Sequence, residues 1–462
     1  MTRPGWIATL LAALLGATVL AGCSGDDSSD DSGTLTVWSL ENQADRVAAT
    51  EKVIAEFTKS TGITVKYVGV DENQFSKLVI AAVAGGDLPD VMGAIPLSAL
   101  WSLNANELLD TGAANDVLST LGPETFTPRA LTLTRDGDRS LGVPSDAWAQ
   151  LLFYRTDLFT KAGLAAPDTY EKIAAAAREL TAGGQVGITS ATVADDAFTA
   201  QTFEHLALGN GCEMVDDGGK ITIGSRQCVD AFSFYQKLLS TSSVKGAQSV
   251  DSTRATYFSG RAAMVIWSSF LLDELAGLRS DTLPNCPQCQ SDPSYLAKNT
   301  GVVTAIKGHD GPKPAQFGEV VSWAISATAQ TANAKKFVQF MMSDGYARWL
   351  GQAPEGKVPV RTGDASNRTV YVDAWRKLPA GVDKKAPLAT VYPAALVDQL
   401  VSSIGTFDRW GIEQGQGKLV GATLAELPVA KAVNALTSGQ IDASGAASRC
   451  DDEIADIKKS IE

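Results

Sequence analysis

Apolar positions recur along this chain in two alternating rhythms. Leu35-Thr36-Val37-Trp38 is a short strand-forming run, and Val47, Thr50, Ile54 and Phe57 then share one stripe of a predicted helix over 44–60. Gly62 ends that helix, and Ile63-Thr64-Val65-Lys66-Tyr67-Val68 alternates as a half-buried strand does. Phe75, Leu78, Val79, Ala82 and Val83 line one face of a second helix, closed by Gly85-Gly86, and Pro89-Asp90-Val91-Met92 opens a third strand. Strand–helix–strand–helix–strand implies a parallel sheet with right-handed crossovers. Such sheets gather ligands at the carboxyl ends of their strands, where Trp38-Ser39 and the loop after Met92 fall.

A second unit begins near Leu141. Asp168-Thr169-Tyr170-Glu171 reads as a capping-box start for a helix over 170–182, and Val186-Gly187-Ile188-Thr189 as a strand. A helix over 228–240 follows, with Val229, Phe232, Tyr235, Gln236 and Leu239 on one stripe. The apolar runs 262–267 and 319–326 suit buried strands, and Ala334, Phe337, Val338 and Met341 mark a helix. The last third is mainly helical, with Pro428 breaking it, and no repeat is visible.

The start of the chain follows a different pattern. Arg3 is followed by an uncharged apolar stretch from Trp6 to Leu20, which is shorter than the roughly 20 residues that span a bilayer. It ends in Leu20-Ala21-Gly22-Cys23, so 1–22 reads as a signal peptide. The cysteine directly after the small residues resembles the bacterial lipobox, which implies that Cys23 is lipidated. The segment 23–33, rich in Asp, Ser and Gly, then reads as a disordered acidic tether. The expected location is the extracellular face of the cell membrane, with attachment by lipid alone.

The 462 residues suggest two or three domains. With 39 Lys and Arg against 52 Asp and Glu, the net charge of −13 argues against nucleic acid as a partner. Two histidines leave little room for a His-rich metal centre or a conventional catalytic triad, and neither a metal nor another cofactor is expected. An exported protein favours disulfides. Cys212 and Cys228 flank a Gly-Gly turn and suit a loop-closing bridge. Cys286 and Cys289 sit in the Pro-rich loop LPNCPQCQSDP, where a structural disulfide is favoured over redox chemistry. Zinc would need more ligands than His309 adds. Cys450 shares a helical face with Ile454, Ile457 and Ile461 and reads as a buried thiol.

Seven stretches carry a resemblance. They are LTVWS (35–39), GGDLPDVM (85–92), GVPSDAWAQLLFYRTDLFTKAGL (142–164), PDTYEKIAAAAREL (167–180), YFSGRAAMVIWSSF (257–270), VSWAISATAQTANAKKFVQFMMSD (321–344) and GKVPVR (356–361). In this order they resemble the extracellular solute-binding proteins of bacterial ABC importers, in particular the maltose-binding-protein-like, carbohydrate-binding group. The resemblance implies an α/β, two-lobed periplasmic-binding-protein-like fold of type II, each lobe a mixed sheet sandwich with a hinge between. Transferred to this chain, lobe 1 spans 34–142 plus 307–350, and lobe 2 spans 143–306 plus 351–462. It further implies a monomer that is not an enzyme. Such a protein closes on a sugar or oligosaccharide and delivers it to permease subunits in the membrane, with the ATPase on a separate chain.

A sugar presents hydroxyls at its edges and C–H patches on its faces, so a binder needs aromatic planes and polar groups. Trp38, Trp148, Trp267 and Trp410 fall at strand ends or loops and are the stacking candidates. Asn42, Asp146, Ser268, Arg361 and Asp408 are the polar candidates, with Glu41 and Gln43 weaker. Each has a plain alternative: core or hinge packing for the tryptophans, a surface ion pair for Arg361. Trp323 reads as core, Trp101, Trp349 and Trp375 as helix or surface packing, and Asp90 as the pin of a turn. The loop Gly93-Ala94-Ile95-Pro96 departs from the maltodextrin binders, which place an aromatic or charged residue there. Two other readings stay open: the same fold taking a glycerophosphodiester, a polyamine or another small solute, or a secreted glycosidase with paired carboxylates. No nucleophile-elbow, zincin, P-loop or dinucleotide motif accompanies the latter.

Overall fold

The computed structural model describes residues 33–462. The expected signal peptide, Cys23 and all of the expected tether but Gly33 lie outside the described residues.

The strand Leu35–Ser39 pairs in parallel with Val65–Gly69 on one side and with Val91–Ile95 on the other. The helices Ala44–Thr61 and Glu72–Gly85 make the two crossovers, as the apolar rhythm predicts. The first buries Thr50, Val53, Ile54 and Phe57. The second is only partly as expected: Phe75, Val79 and Ala82 are buried, while Leu78 and Val83 are 41% and 48% exposed. Only one ridge of that helix reaches the core, so its buried stripe is narrower than its apolar stripe.

Beyond Val91–Ile95 the sheet becomes mixed. Gln316–Ile325 joins antiparallel, and the 13-residue strand Val143–Arg155 lies antiparallel beside it. That long strand belongs to two sheets. Its first half pairs with Gln316–Ile325 and with Val358–Pro359, and from Gln150 onward it pairs with Met264–Ser268 and Thr300–Val303. Two irregularities lie where it matters for a site. Register slips between Pro144 and Asp146, and again between Met92 and Ile95, where Ala94 takes a positive φ of 56°. Bulges of this kind re-aim side chains. Beside Ala94, a Cβ on Gly93 would stand 2.2 Å from the Trp323 ring, so the close approach there requires glycine.

The expected strand over 186–189 does not form a ladder. It is held by isolated bridges, Val186 to Ala262 and Thr189 to Val265. Pro428 begins a new helix, Pro428–Thr437, after Leu427 turns left-handed at φ 52°. The helix before it, Gly417–Glu426, packs on Leu97–Ala105. A Cβ on Gly417 would stand 2.0 Å from Trp101, and one on Gly421 would stand 2.9 Å from the Ser98 carbonyl. A helix expected with lobe 2 therefore packs on a helix expected with lobe 1. Cys212 and Cys228 stand at disulfide distance, 2.07 Å, as do Cys286 and Cys289 at 2.05 Å. Cys450 is buried and free. Trp323 is core, as expected.

Candidate functional site

A cavity of about 360 Å³ opens where the two sheets meet. Leu40 and Glu41 reach it from the carboxyl end of the first strand, and Ala94 and Pro96 from that of the third. Asp146 and Trp148 enter from the bulged start of the long strand, and Ser268 and Phe270 from the end of Met264–Ser268. Phe198 and Glu204 come from the helix Ala197–Gly209, and Arg409-Trp410 close the far side with the last helices.

Aromatic planes line this space. Trp148 lies 5.7 Å from Phe317 and 6.5 Å from Phe270, ring centre to ring centre. Phe270 in turn lies flat over Gly356, where a Cβ would stand 1.9 Å from its ring. The Trp410 indole N–H donates to the Cys212 carbonyl at 2.7 Å, which fixes the ring's orientation.

Buried charges fill the remaining wall in two networks. Lys357 Nζ lies 2.5 Å from Glu41 Oε1 and 3.4 Å from Asp146 Oδ2, and stands 4.2 Å above the Trp349 ring. Arg46 holds the other oxygen of Glu41 at 2.7 Å. Asp146 Oδ1 also accepts from Trp349 Nε1 at 2.7 Å and from Ser145 Oγ at 2.6 Å. Burial opposes the charge on Glu41, but Lys357 and Arg46 outweigh it and hold the carboxyl down at about 2. In the second network Arg409 Nη1 lies 2.5 Å from Glu319 Oε2, and its Nε 3.4 Å from Glu204 Oε1. Glu319 Oε1 also accepts from the Leu97 N–H at 2.8 Å, at the start of the helix Leu97–Ala105. Burial pushes Glu204 up to about 7 despite Arg409. The wall thus presents hydroxyl acceptors, cationic donors and flat apolar faces within one space.

Of the residues singled out by sequence, Asp146, Trp148, Ser268 and Trp410 line this cavity, as does Glu41. The others do not. Trp267 is buried behind the wall, 4.6 Å from Phe198, and Trp38 packs against the core. Asn42 is exposed, and Gln43 borders a neighbouring void. Asp408 turns to Arg129 at 3.5 Å and accepts from the Arg409 N–H. Arg361 is buried and spends its guanidinium on the carbonyls of Leu121 and Met342 and on Thr125 Oγ1, so it clamps chain segments together. Trp349, read as packing, supports Asp146 from beneath.

The matched family decides what kind of site this is. Residues 41–348 match the model of the bacterial extracellular solute-binding proteins. The chain belongs to that family. A putative ABC transporter periplasmic-binding protein of Escherichia coli (strain K12), YcjN, is 30% identical over 362 residues, covering 76% of this chain and 78% of its own. Among solved structures, maltose-bound MalE3 of T. maritima superposes with a TM-score of 0.69 at 18% identity, over 91% of this chain and 99% of that one. A sugar transporter of Arthrobacter chlorophenolicus A6 with bound laminaribiose gives 0.68 at 16% identity, over 92% and 99%. The fold is thus that of the type II periplasmic binding proteins, and the protein is a binder of solutes, not an enzyme.

Sequence reasoning did not reach seven side chains of this candidate site: Arg46, Glu204, Glu319, Lys357 and Arg409, with Phe198 and Phe270. A signal was present for two of them. Glu319 is a lone acid in the apolar run EVVSWAIS, and Lys357 stands in GKVPVR directly before a strand. A charge inside an apolar run must find a partner when buried.

Proposed function

We propose that this protein is the lipid-anchored, extracellular substrate-binding subunit of an ABC importer, and that it captures a sugar or oligosaccharide between two lobes. The observation that carries the reading is one cavity wall that combines the rings of Trp148, Phe270 and Trp410 with the carboxylates of Glu41 and Asp146. Rings match the C–H faces of a saccharide and carboxylates match its hydroxyls. The solved neighbours named above carry maltose and laminaribiose, which is consistent with it.

In this reading the lobes are 34–142 plus 307–350 and 143–306 plus 351–462. A ligand touching both favours the closed arrangement by its greater affinity for it. The closed form then docks as a monomer on permease subunits, while a separate chain hydrolyses ATP. Diacylated Cys23 holds the body at the membrane, since two chains anchor stably where one does not.

A thermal-shift screen over saccharides, glycerophosphocholine and spermidine tests the ligand class. A ligand at 100 times its dissociation constant stabilises by about 2.7 kcal/mol, a clear rise in melting temperature. A rise only with glycerophosphocholine or spermidine overturns the carbohydrate reading. For the anchor, Cys23→Ser releases the protein into the medium; retention on the cell removes the lipid from the account.

A further inference from the structure

The helix Gly417–Glu426 touches both lobes, but not in the same way. Its contact with lobe 1 is made at backbone distance. Gly417 and Gly421, about one turn apart, face the helix Leu97–Ala105. A Cβ on Gly417 would stand 2.0 Å from the Trp101 ring, and one on Gly421 would stand 2.9 Å from the Ser98 carbonyl and 3.1 Å from Ser102 Cβ. Trp101 is 4% exposed and donates to the Leu133 carbonyl, so it is fixed within lobe 1. Arg129, also of lobe 1, holds Glu413 and the Phe407 carbonyl just upstream. On the lobe 2 side the helix meets Ala443–Ile461, where the exposed Lys418 ammonium donates to the Ile461 carbonyl, and the Gln416 amide lies against Gly219. Long side chains change partners by turning about single bonds. A tryptophan packed on a glycine backbone parts from it only by uncovering its whole face.

The chain turns sharply on either side of this segment. Gly411 has a φ of 73°, and Leu427 takes a φ of 52° before the next helix, Pro428–Thr437, leaves at 49° to this one. Left-handed backbone is costly for a leucine, and among the described residues only Ala94, Glu107 and Leu427 adopt it without being glycine. Beyond both turns the chain is bound to lobe 2. Trp410 donates its backbone N–H to Glu204 and its indole N–H to the Cys212 carbonyl. Pro428–Thr437 packs on the helices Ala197–Gly209 and Arg226–Ser242. Residues 412–426 thus form a strap with a backbone turn at each end, where a few dihedrals absorb a rotation. The strap also lines the cleft, through Val420, Thr423 and Leu424.

We infer that the strap 412–426 travels with lobe 1, so that the lobes part between the strap and Pro428–Thr437 and not between the strap and Leu97–Ala105. The inference rests on the two-lobe reading above and moves this segment from lobe 2 to lobe 1. Val420, Thr423 and Leu424 then belong to the lobe 1 wall and meet the ligand from that side, while Phe198 meets it from lobe 2. Closure turns the chain at Gly411 and Leu427, and the face of Trp101 stays covered whether the cleft is open or shut.

Spin labels on three exposed positions test this: Asn106 in lobe 1, Lys237 in lobe 2 and Ala425 on the strap. They are introduced two at a time as Asn106→Cys, Lys237→Cys and Ala425→Cys; Cys450 is buried and the other four body cysteines are paired, so labels go to the new thiols. Distances are read by double electron–electron resonance in the ligand-free full chain. The pairs Asn106–Lys237 and Lys237–Ala425 should each show a second, longer population, and Asn106–Ala425 a single narrow one. A second population in Asn106–Ala425 overturns the inference, and where Asn106–Lys237 is also split it leaves the two-lobe reading standing. A single Lys237–Ala425 distance beside a split Asn106–Lys237 pair does the same, because the strap then stays with lobe 2. Single narrow distances in all three pairs show no lobe motion and overturn both.

Discussion

The ammonium of Lys357 lies 2.5 Å from Glu41 Oε1, joining two segments that are distant in sequence at the floor of the cleft. Both side chains are nearly inaccessible, and Asp146 stands on the other side of the same ammonium at 3.4 Å. Lys357→Met leaves two buried carboxylates short of a cation. Removing one partner of a buried pair costs about 3 kcal/mol or more, because the charge left behind stays desolvated. Urea denaturation should show a correspondingly lower midpoint. An unchanged midpoint would mean that Arg46 and Trp349 alone satisfy Glu41 and Asp146.

Trp148 is half-buried and takes part in the wall with only its ring, so its removal separates binding from folding better than that of fully packed Trp410. Trp148→Ala should weaken the best saccharide by roughly tenfold to thirtyfold, the loss typical of an aromatic anchor at about 2 kcal/mol. The circular-dichroism spectrum should stay as in the parent. Equal affinity in titration calorimetry would take this ring out of ligand contact.

Periodicity made the first three strands and their helices legible, because βαβ units are written in local patterns. It did not reveal that Val143–Arg155 serves two sheets. A strand buried on both faces lacks the alternation of a half-buried one, and its partners are more than a hundred positions away. The site divides in the same way. Trp148 and Asp146 stand at a point of chain passage and could be found. Arg409 and Glu319 acquire meaning only when two remote segments bring them to 2.5 Å. Arg361 misled because a cation near a cleft and a cation bonded to main-chain carbonyls look alike in sequence.

Gly417 and Gly421 set the distance between the helices Gly417–Glu426 and Leu97–Ala105. Gly417→Ala drives a methyl into the buried Trp101 ring, whose N–H is already committed to the Leu133 carbonyl. Overpacking of this kind costs about 1–3 kcal/mol. The melting temperature should fall by several degrees, whereas Gly405→Ala, at a position with open space and no positive φ, adds the same methyl without a clash. Equal losses in the two variants would show that the helix contact is not the cause.

The Cys212–Cys228 pair closes a loop of sequence separation 16, for which chain entropy predicts about 3 kcal/mol. Cys212 also supplies the carbonyl that orients Trp410. The double variant Cys212→Ser, Cys228→Ser should therefore lose both stability and affinity for saccharide. If stability falls while affinity at a temperature well below melting is unchanged, Trp410 does not depend on the bridge.

Stability should also depend on pH in a definite direction. Burial pushes Glu213 up to about 8, and Asp408, Glu204 and Glu413 around it add to the shift; Glu204 is itself raised by burial to about 7. The folded protein keeps these protons at pH values where the unfolded chain, near 4.5, has lost them. Folding therefore binds protons across this window, and stability falls as pH rises from about 4.5 to about 8. On the acid side the sign reverses. Glu41, held down at about 2, and His205, lowered by burial to about 3, both resist protonation in the folded state, so stability is lost again as pH falls. The melting temperature should thus peak in mildly acidic buffer. Glu213→Gln removes one ionisation from the basic side, and its advantage over the parent should widen between pH 5 and pH 8 in scanning calorimetry. A difference that stays constant over that range would show that Glu213 ionises as freely in the folded protein as in the unfolded chain.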